Sequence, residues 1–131
     1  MTNPPLLGSI LSVCAGASLG ALLRWALAGR FNPLHAQLPL GTLAANLIGG
    51  YLVGVAVAVF AHLPDVSPQA RLFVITGFLG GLTTFSTFSA EVVTQLQQGH
   101  TGWALATALA HLLGSFALTA LGIATVSWLR S

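Results

Sequence analysis

The sequence predicts an all-α membrane protein. It has four transmembrane helices, the third broken partway, assembled as an antiparallel dual-topology homodimer. Three observations carry this expectation. The chain has 131 residues, 55% of them hydrophobic and only 5% charged, where a soluble domain carries roughly 25% charged residues. The apolar residues fall into four runs, each near the ~20 residues a helix needs to cross a bilayer. Finally, the four arginines divide evenly between the two sides that four crossings define, so the positive-inside rule favours neither orientation. A weakly biased chain held by other signals would show this, as would copies inserted both ways; four short helices alone enclose too little space for a conduction path, which favours the second.

The first run extends from about Leu6 to Leu27. It opens on MTNPPLLGSI, which has no cationic start, so it is expected to be retained rather than cleaved as a signal peptide. Gly16 and Gly20, with Ser12 and Ala28 continuing the small face, let a neighbouring backbone approach closely. Cys14, the single cysteine, lies within the run as a small packing residue and has no intrachain disulfide partner. Asn32-Pro33 and Pro39 make the first connection.

The second run, about Leu40 to Ala61, carries another small pair, Gly50 and Gly54. Asn46 is its one strongly polar side chain well inside, with Thr42 a turn earlier. Pro64, Asp65 and Pro68 make the next turn. The third run, about Leu72 to Leu96, and the fourth, about Trp103 to Leu129, are joined through Gly99 and Gly102. Trp25, Trp103 and Trp128 lie near run ends, where interfacial aromatics belong. Residues 1–131 are thus expected to form a single transmembrane domain, with no room for a separate soluble one.

The third run holds the least lipid-like stretch, TGFLGGLTTFSTFSAE from Thr76 to Glu91. Gly80-Gly81 weakens a continuous helix, and the hydroxyls of Thr83, Thr84, Ser86, Thr87 and Ser89 compete with backbone hydrogen bonds. Irregular backbone at membrane depth survives only inside protein or along a watery cavity. The stretch reads as a broken helix at an ion site. Four crossings place Arg71 and Arg130 on the side of the termini, with Arg24 and Arg30 opposite. An antiparallel pair would have a two-fold axis in the membrane plane, and the break is placed to meet its own copy there.

Several side chains are candidates for chemistry. Arg24 is open to two readings: an interfacial anchor, or a positive charge that concentrates anions at a vestibule. Asn46 is a helix-joining amide or an NH₂ donor to an anion in a pore, and its company favours the pore. Thr107, His111, Ser115 and Thr119 recur every four residues, making one polar seam on the fourth helix. Phe85 and Phe88 share a face; two phenylalanines in a membrane helix by default meet lipid or core, but flanked by Thr84, Ser86, Thr87 and Ser89 they could instead present positive ring edges to an anion. Glu91 is the only acidic residue within a run, a functional candidate by position that also lies near the interface. His35, His62 and His100, in or beside loops, are expected to be solvated. No nucleophile–base set, phosphate loop or metal cluster is present, so no enzyme is expected. Nor is there a basic stripe for nucleic acid.

Taken together, Gly16-x-x-x-Gly20-x-x-x-Arg24-Trp25, Gly41-Thr42-Leu43-x-x-Asn46-Leu47-x-Gly49 and Gly77-Phe-Leu-Gly80-Gly81-Leu-Thr83-Thr84-Phe85-Ser86-Thr87-Phe88-Ser89 resemble the Fluc/CrcB fluoride channels of prokaryotes. The third motif is long and specific. The resemblance implies a multi-pass protein of the bacterial inner membrane, an antiparallel dimer with two fluoride pathways built from both subunits, and passive efflux that lowers cytoplasmic fluoride. It implies that the backbone carbonyls of Gly80 and Thr83 hold a structural Na⁺ on the two-fold axis. It places Asn46, Phe85 and Phe88 in the pathway, with Thr42 and Ser115 on a polar track beside them and Arg24 at the vestibule. His111 stands where some relatives carry a hydroxyl, and Thr107 where some carry tyrosine. Thr84, Ser86 and Glu91 are further candidates. The alternative from a different class is a dual-topology proton-coupled exporter of small molecules that uses Glu91 as its proton carrier. A third is a purely structural membrane subunit.

Overall fold

The computed structural model describes residues 5–131; Met1–Pro4, the start of the stretch expected to be retained, lie outside the described residues. The described chain is helical with short links. Helix α1 spans Leu6–Phe31 and passes into a 3₁₀ turn at Asn32–Leu34, where Pro33 removes a donor and ends the α pattern. Helix α2 spans Leu40–His62. Helix α3 covers residues 68–82 in three parts: a first turn Pro68–Arg71 capped by Ser67, a wide-wound π stretch Leu72–Leu79, and Gly80–Leu82. Thr83 and Thr84 are in extended conformation, and helix α4 starts at Phe85 and runs to Gln97. Gly99, at φ 79°, makes the turn into helix α5, Thr101–Arg130; that left-handed conformation favours glycine.

Four spans are long and apolar enough to cross a membrane: Leu6–Leu34, Leu40–His62, Pro68–Gln97 and Thr101–Arg130. Their outer faces carry exposed side chains such as Leu11, Leu22, Leu105, Leu113 and Phe116. Such a surface suits lipid and not water.

Two close helix pairs make the scaffold. α1 lies along α3 at its small face: a Cβ added at Gly20 would sit 2.1 Å from the Phe78 carbonyl oxygen. α2 lies along α5 in the same way, with a Cβ on Gly54 falling 2.2 Å from the Thr119 carbonyl oxygen. The small pairs therefore do what their spacing implies, bringing backbones into contact where lipid provides no hydrophobic drive. A small apolar core of Ala45, Ala56, Leu79 and Leu82 joins α2 to α3.

Three local expectations are corrected. Cys14 is exposed on the outer face of α1 rather than packed. His35 is not simply solvated, because its Nδ1 accepts from the backbone N–H of Gln37 and Leu38 and its ring meets Trp103 edge-on. Gly80-Gly81 remains helical. The close approach of α1 explains the second glycine, since a Cβ on Gly81 would lie 2.6 Å from the Ala17 carbonyl oxygen.

Candidate functional site

The site forms where α2 and α5 flank the extended pair Thr83–Thr84. The Thr84 hydroxyl replaces a helix hydrogen bond, whereas the Thr83 hydroxyl adds to one, since the Leu79 carbonyl also accepts from the Thr83 N–H at 3.0 Å. Thr83 Oγ1 donates back to the Leu79 carbonyl at 2.8 Å, and Thr84 Oγ1 caps α4 by accepting from the Thr87 N–H at 3.1 Å. Such competition with the backbone is the ordinary behaviour of threonine at a helix start.

Asn46, on α2, supplies what the chain itself cannot. Its Oδ1 accepts from the Thr84 N–H at 2.7 Å, and its Nδ2 donates to the Thr84 carbonyl at 3.0 Å. The side-chain amide thus pairs with one residue's backbone as a neighbouring strand would. Nδ2 also lies 2.9 Å from His111 Nδ1 on α5. Both amide hydrogens are therefore engaged, so Asn46 has no donor left for an anion in this arrangement.

A cavity of about 380 Å³ opens beside this junction, bordered by Asn46, Thr83, Thr84, Phe85, Phe88, His111 and Ser115. Phe88 is buried, and its ring stacks on His111 with centroids 4.4 Å apart and planes 22° apart. Phe85, 71% exposed, meets Phe88 edge-to-face at 5.4 Å. The two phenylalanines share a face as expected, one inside and one at the opening. Gly80 also borders this cavity.

The polar seam of α5 continues away from the cavity. Thr107 is fully buried one turn before His111, and Thr119 donates to the Gly50 carbonyl at 2.9 Å. Thr107 Oγ1 and His111 Nε2 are both buried without a hydrogen-bond partner among the described residues. A buried polar atom left so costs about 1–3 kcal/mol.

Thr42 and Glu91 form a second group. Thr42 Oγ1 donates to Glu91 Oε1 at 2.7 Å while accepting from Asn32 Nδ2 at 3.3 Å. Asn32 Oδ1 accepts from the Thr42 N–H, a role the sequence reading missed; its only sequence signal is an amide directly after a helix end. Glu91 borders a separate cavity of about 340 Å³ with Gln95, and Gln95 Nε2 donates to the Gln37 carbonyl. Gln95 was also missed, although it lies one turn from Glu91 on the same helix. Thr42, Thr107 and Glu91 are therefore not on the larger cavity.

Arg24 neither snorkels free nor stands alone: its Nε donates to the Gly81 carbonyl at 3.0 Å. Ser86 is exposed, its hydroxyl 3.2 Å from Thr84 Oγ1. Among the described residues no group of three or more His, Cys, Asp or Glu could hold a metal ion; the donors expected for a cation at the break are backbone carbonyls. Two backbone carbonyls fit. In a continuous helix the Thr84 N–H would close onto Gly80 and the Thr87 N–H onto Thr83. Here both N–H groups donate to side chains instead, Asn46 Oδ1 and Thr84 Oγ1. The carbonyls of Gly80 and Thr83 are thereby released, and carbonyl oxygen is the donor a hard cation prefers. Gly80 is also open: an added Cβ would have only the Ile75 carbonyl oxygen near it, at 3.7 Å.

The family described as CrcB-like protein, Camphor Resistance (CrcB), matches residues 11–123. A protein of Nitrosomonas europaea named "Fluoride-specific ion channel FluC" is 56% identical over 122 residues, covering 93% of this chain and 96% of the relative. A protein of the same name from Burkholderia pseudomallei is 60% identical over 122 residues, covering 92% and 95%. Another, from Burkholderia cenocepacia, is 60% identical over 124 residues, covering 94% and 97%. Four apolar spans and relatives of this kind make the chain a multi-pass membrane protein.

Proposed function

Because the chain belongs to the CrcB family, we propose that it is a fluoride-selective ion channel giving passive efflux that lowers cytoplasmic fluoride. One observation supports this most: the extended residues Thr83–Thr84 lie at a cavity bordered by Asn46, Phe85, Phe88, His111 and Ser115. Fluoride is small and tightly hydrated, so a path must replace its water with closely spaced donors or electropositive edges. Hydroxyl, ring N–H and phenylalanine edges serve that end, and a narrow path lined by them handicaps the larger chloride.

In this reading Thr83–Thr84 is the break in the third membrane helix, and it faces a second, antiparallel copy in the bacterial inner membrane. Two fluoride pathways run through the dimer, each using Asn46, Phe85, Phe88 and Ser115, with Thr42, Thr107 and His111 as the polar track and Arg24 at the vestibule. The carbonyls of Gly80 and Thr83 from both copies hold a Na⁺. Bound there, the ion supplies positive charge that ties the two broken helices together, and it is not transported. The open face of Gly80 accords with a partner chain at that point.

The competing reading is a proton-coupled exporter centred on Glu91, whose Oε2 is buried without a partner. One experiment separates the two. Liposomes holding only this protein and loaded with potassium fluoride and chloride are opened to potassium by an ionophore, and electrodes follow both halides. Fluoride release without chloride release is expected. Absence of fluoride release from a folded dimer would overturn the channel reading.

A further inference from the structure

The smaller cavity, beside α4, is bordered by two side chains that each keep an oxygen unsatisfied. Gln95 is only 7% exposed, and its Nε2 donates to the Gln37 carbonyl. A carbonyl only accepts, so the amide cannot be turned over and its other atom is the acceptor Oε1. That Oε1 is buried with no hydrogen-bond partner among the described residues. Glu91 lies one turn earlier on the same face of α4. Its Oε1 accepts from Thr42, while its Oε2 is likewise buried and without a partner. Both residues border the same cavity of about 340 Å³, and Thr87 and Thr94 add hydroxyl residues to its wall. A carboxylate taken out of water needs a counter-charge. The arginines do not supply it: Arg24 is on the Gly81 carbonyl, Arg71 on the carbonyls of Phe60, Leu63 and Val66, and Arg30 lies over the Phe31 ring. Arg130 is in the last turn of α5, and none of the four borders the cavity. His100 does border it, but is exposed and makes no hydrogen bond to Glu91 Oε2.

We propose that this cavity binds a monovalent alkali cation, held between Glu91 Oε2 and Gln95 Oε1. Carboxylate and amide oxygens are donors that a hard cation prefers. One negative charge among neutral oxygens matches one positive charge, whereas a calcium site gathers several carboxylates. A water molecule would satisfy both acceptors but leave the charge uncompensated. The site is separate from the carbonyls of Gly80 and Thr83, since it lies within one chain, between α4 and the link that carries Gln37. Its role, which rests on the channel reading as the ion site itself does not, is to screen the one carboxylate in the spans so that fluoride is not repelled there.

The test takes crystals of the full chain soaked in thallium(I) fluoride, with anomalous diffraction to place Tl⁺, a heavy stand-in for an alkali ion. In the wild-type chain a Tl⁺ peak is expected in contact with both Glu91 Oε2 and Gln95 Oε1. It is expected to vanish in Glu91→Gln, which keeps an acceptor for Thr42 but loses the charge. Wild-type crystals with no Tl⁺ at these oxygens, or a peak that survives Glu91→Gln at full strength, overturn the site. The screening role is read as fluoride flux from liposomes. Gln95→Leu is expected to slow it about tenfold by leaving the carboxylate unscreened, and Glu91→Gln in the same chain is expected to restore it. No slowing, or slowing that the second change does not relieve, overturns the role. Wild-type liposomes that release no fluoride overturn the channel reading, and the screening role with it, while the crystals still decide the ion site.

Discussion

At the scale of single residues, the Asn46 amide joins α2 to Thr84 and to His111. Asn46→Ala leaves the Thr84 N–H and carbonyl without partners, each at about 1–3 kcal/mol. The expected outcome is a lower unfolding temperature in detergent together with reduced fluoride flux. Phe88 and Phe85 make a different prediction. Replacing either by isoleucine keeps apolar volume but removes the electropositive ring edge, so flux is expected to fall by about tenfold or more while the protein stays folded. Intact permeation in folded Phe85→Ile and Phe88→Ile would remove the phenylalanines from the pathway. Glu91→Gln retains an acceptor for Thr42 at Oε1. Fluoride flux in liposomes is expected to persist in this variant, whereas an exporter that carries its proton on Glu91 would be abolished.

At the scale of elements, the glycines of α1 and the threonines after α3 have separate tasks. The Gly20 face admits the α3 backbone, and Gly20→Ala would drive a methyl group into the Phe78 carbonyl. Because the obstacle is backbone, the helices must part, at about 1–3 kcal/mol or more. Gly29→Ala is the matched control: nothing lies within 4 Å of the added carbon, and exchanging a glycine in the last turn of α1 for alanine is stabilising by up to roughly 0.5–1 kcal/mol. Thermal unfolding of the two variants should shift in opposite directions. Sequence reasoning assigns the weakness of the third helix to Gly80-Gly81 together with the hydroxyl residues that follow, but the glycine pair stays helical, and the missing side chain of Gly81 serves packing against α1. The chain leaves the helix two residues on, where Asn46 and the Thr84 hydroxyl offer replacement partners. Glycines and hydroxyl residues mark the neighbourhood in the sequence. Which of them departs from the helix depends on a side chain 38 positions away.

At the scale of the whole molecule, the proposed dimer and its cation make the remaining prediction. The released carbonyls of Gly80 and Thr83 are neutral donors, and a second copy would double their number around one ion. Exchanging Na⁺ for a large organic cation is therefore expected to shift dimer to monomer in size-exclusion chromatography, and fluoride flux should decline with it. A dimer indifferent to Na⁺ would remove the ion from the scheme. The same reading expects copies inserted both ways, so a single cysteine placed at the C-terminus of a Cys14-free chain should react from both sides of the membrane.

By itself, the sequence determined the solvent and the architecture. Charge scarcity and four apolar runs demand lipid, and with no water to satisfy backbone groups those runs must be helices. Periodicity also placed Thr107, His111 and Ser115 on one face, because residues four apart on a helix align whatever surrounds them. Pairing of polar atoms across helices was decided only by the tertiary structure. Asn46 is engaged with Thr84 and His111, Glu91 is turned to Thr42, and Arg24 is spent on the Gly81 carbonyl. Those partners lie 38 to 65 positions apart in the chain. Their choice follows from which helix faces come within about 3 Å, and a local pattern of residues does not encode that distance.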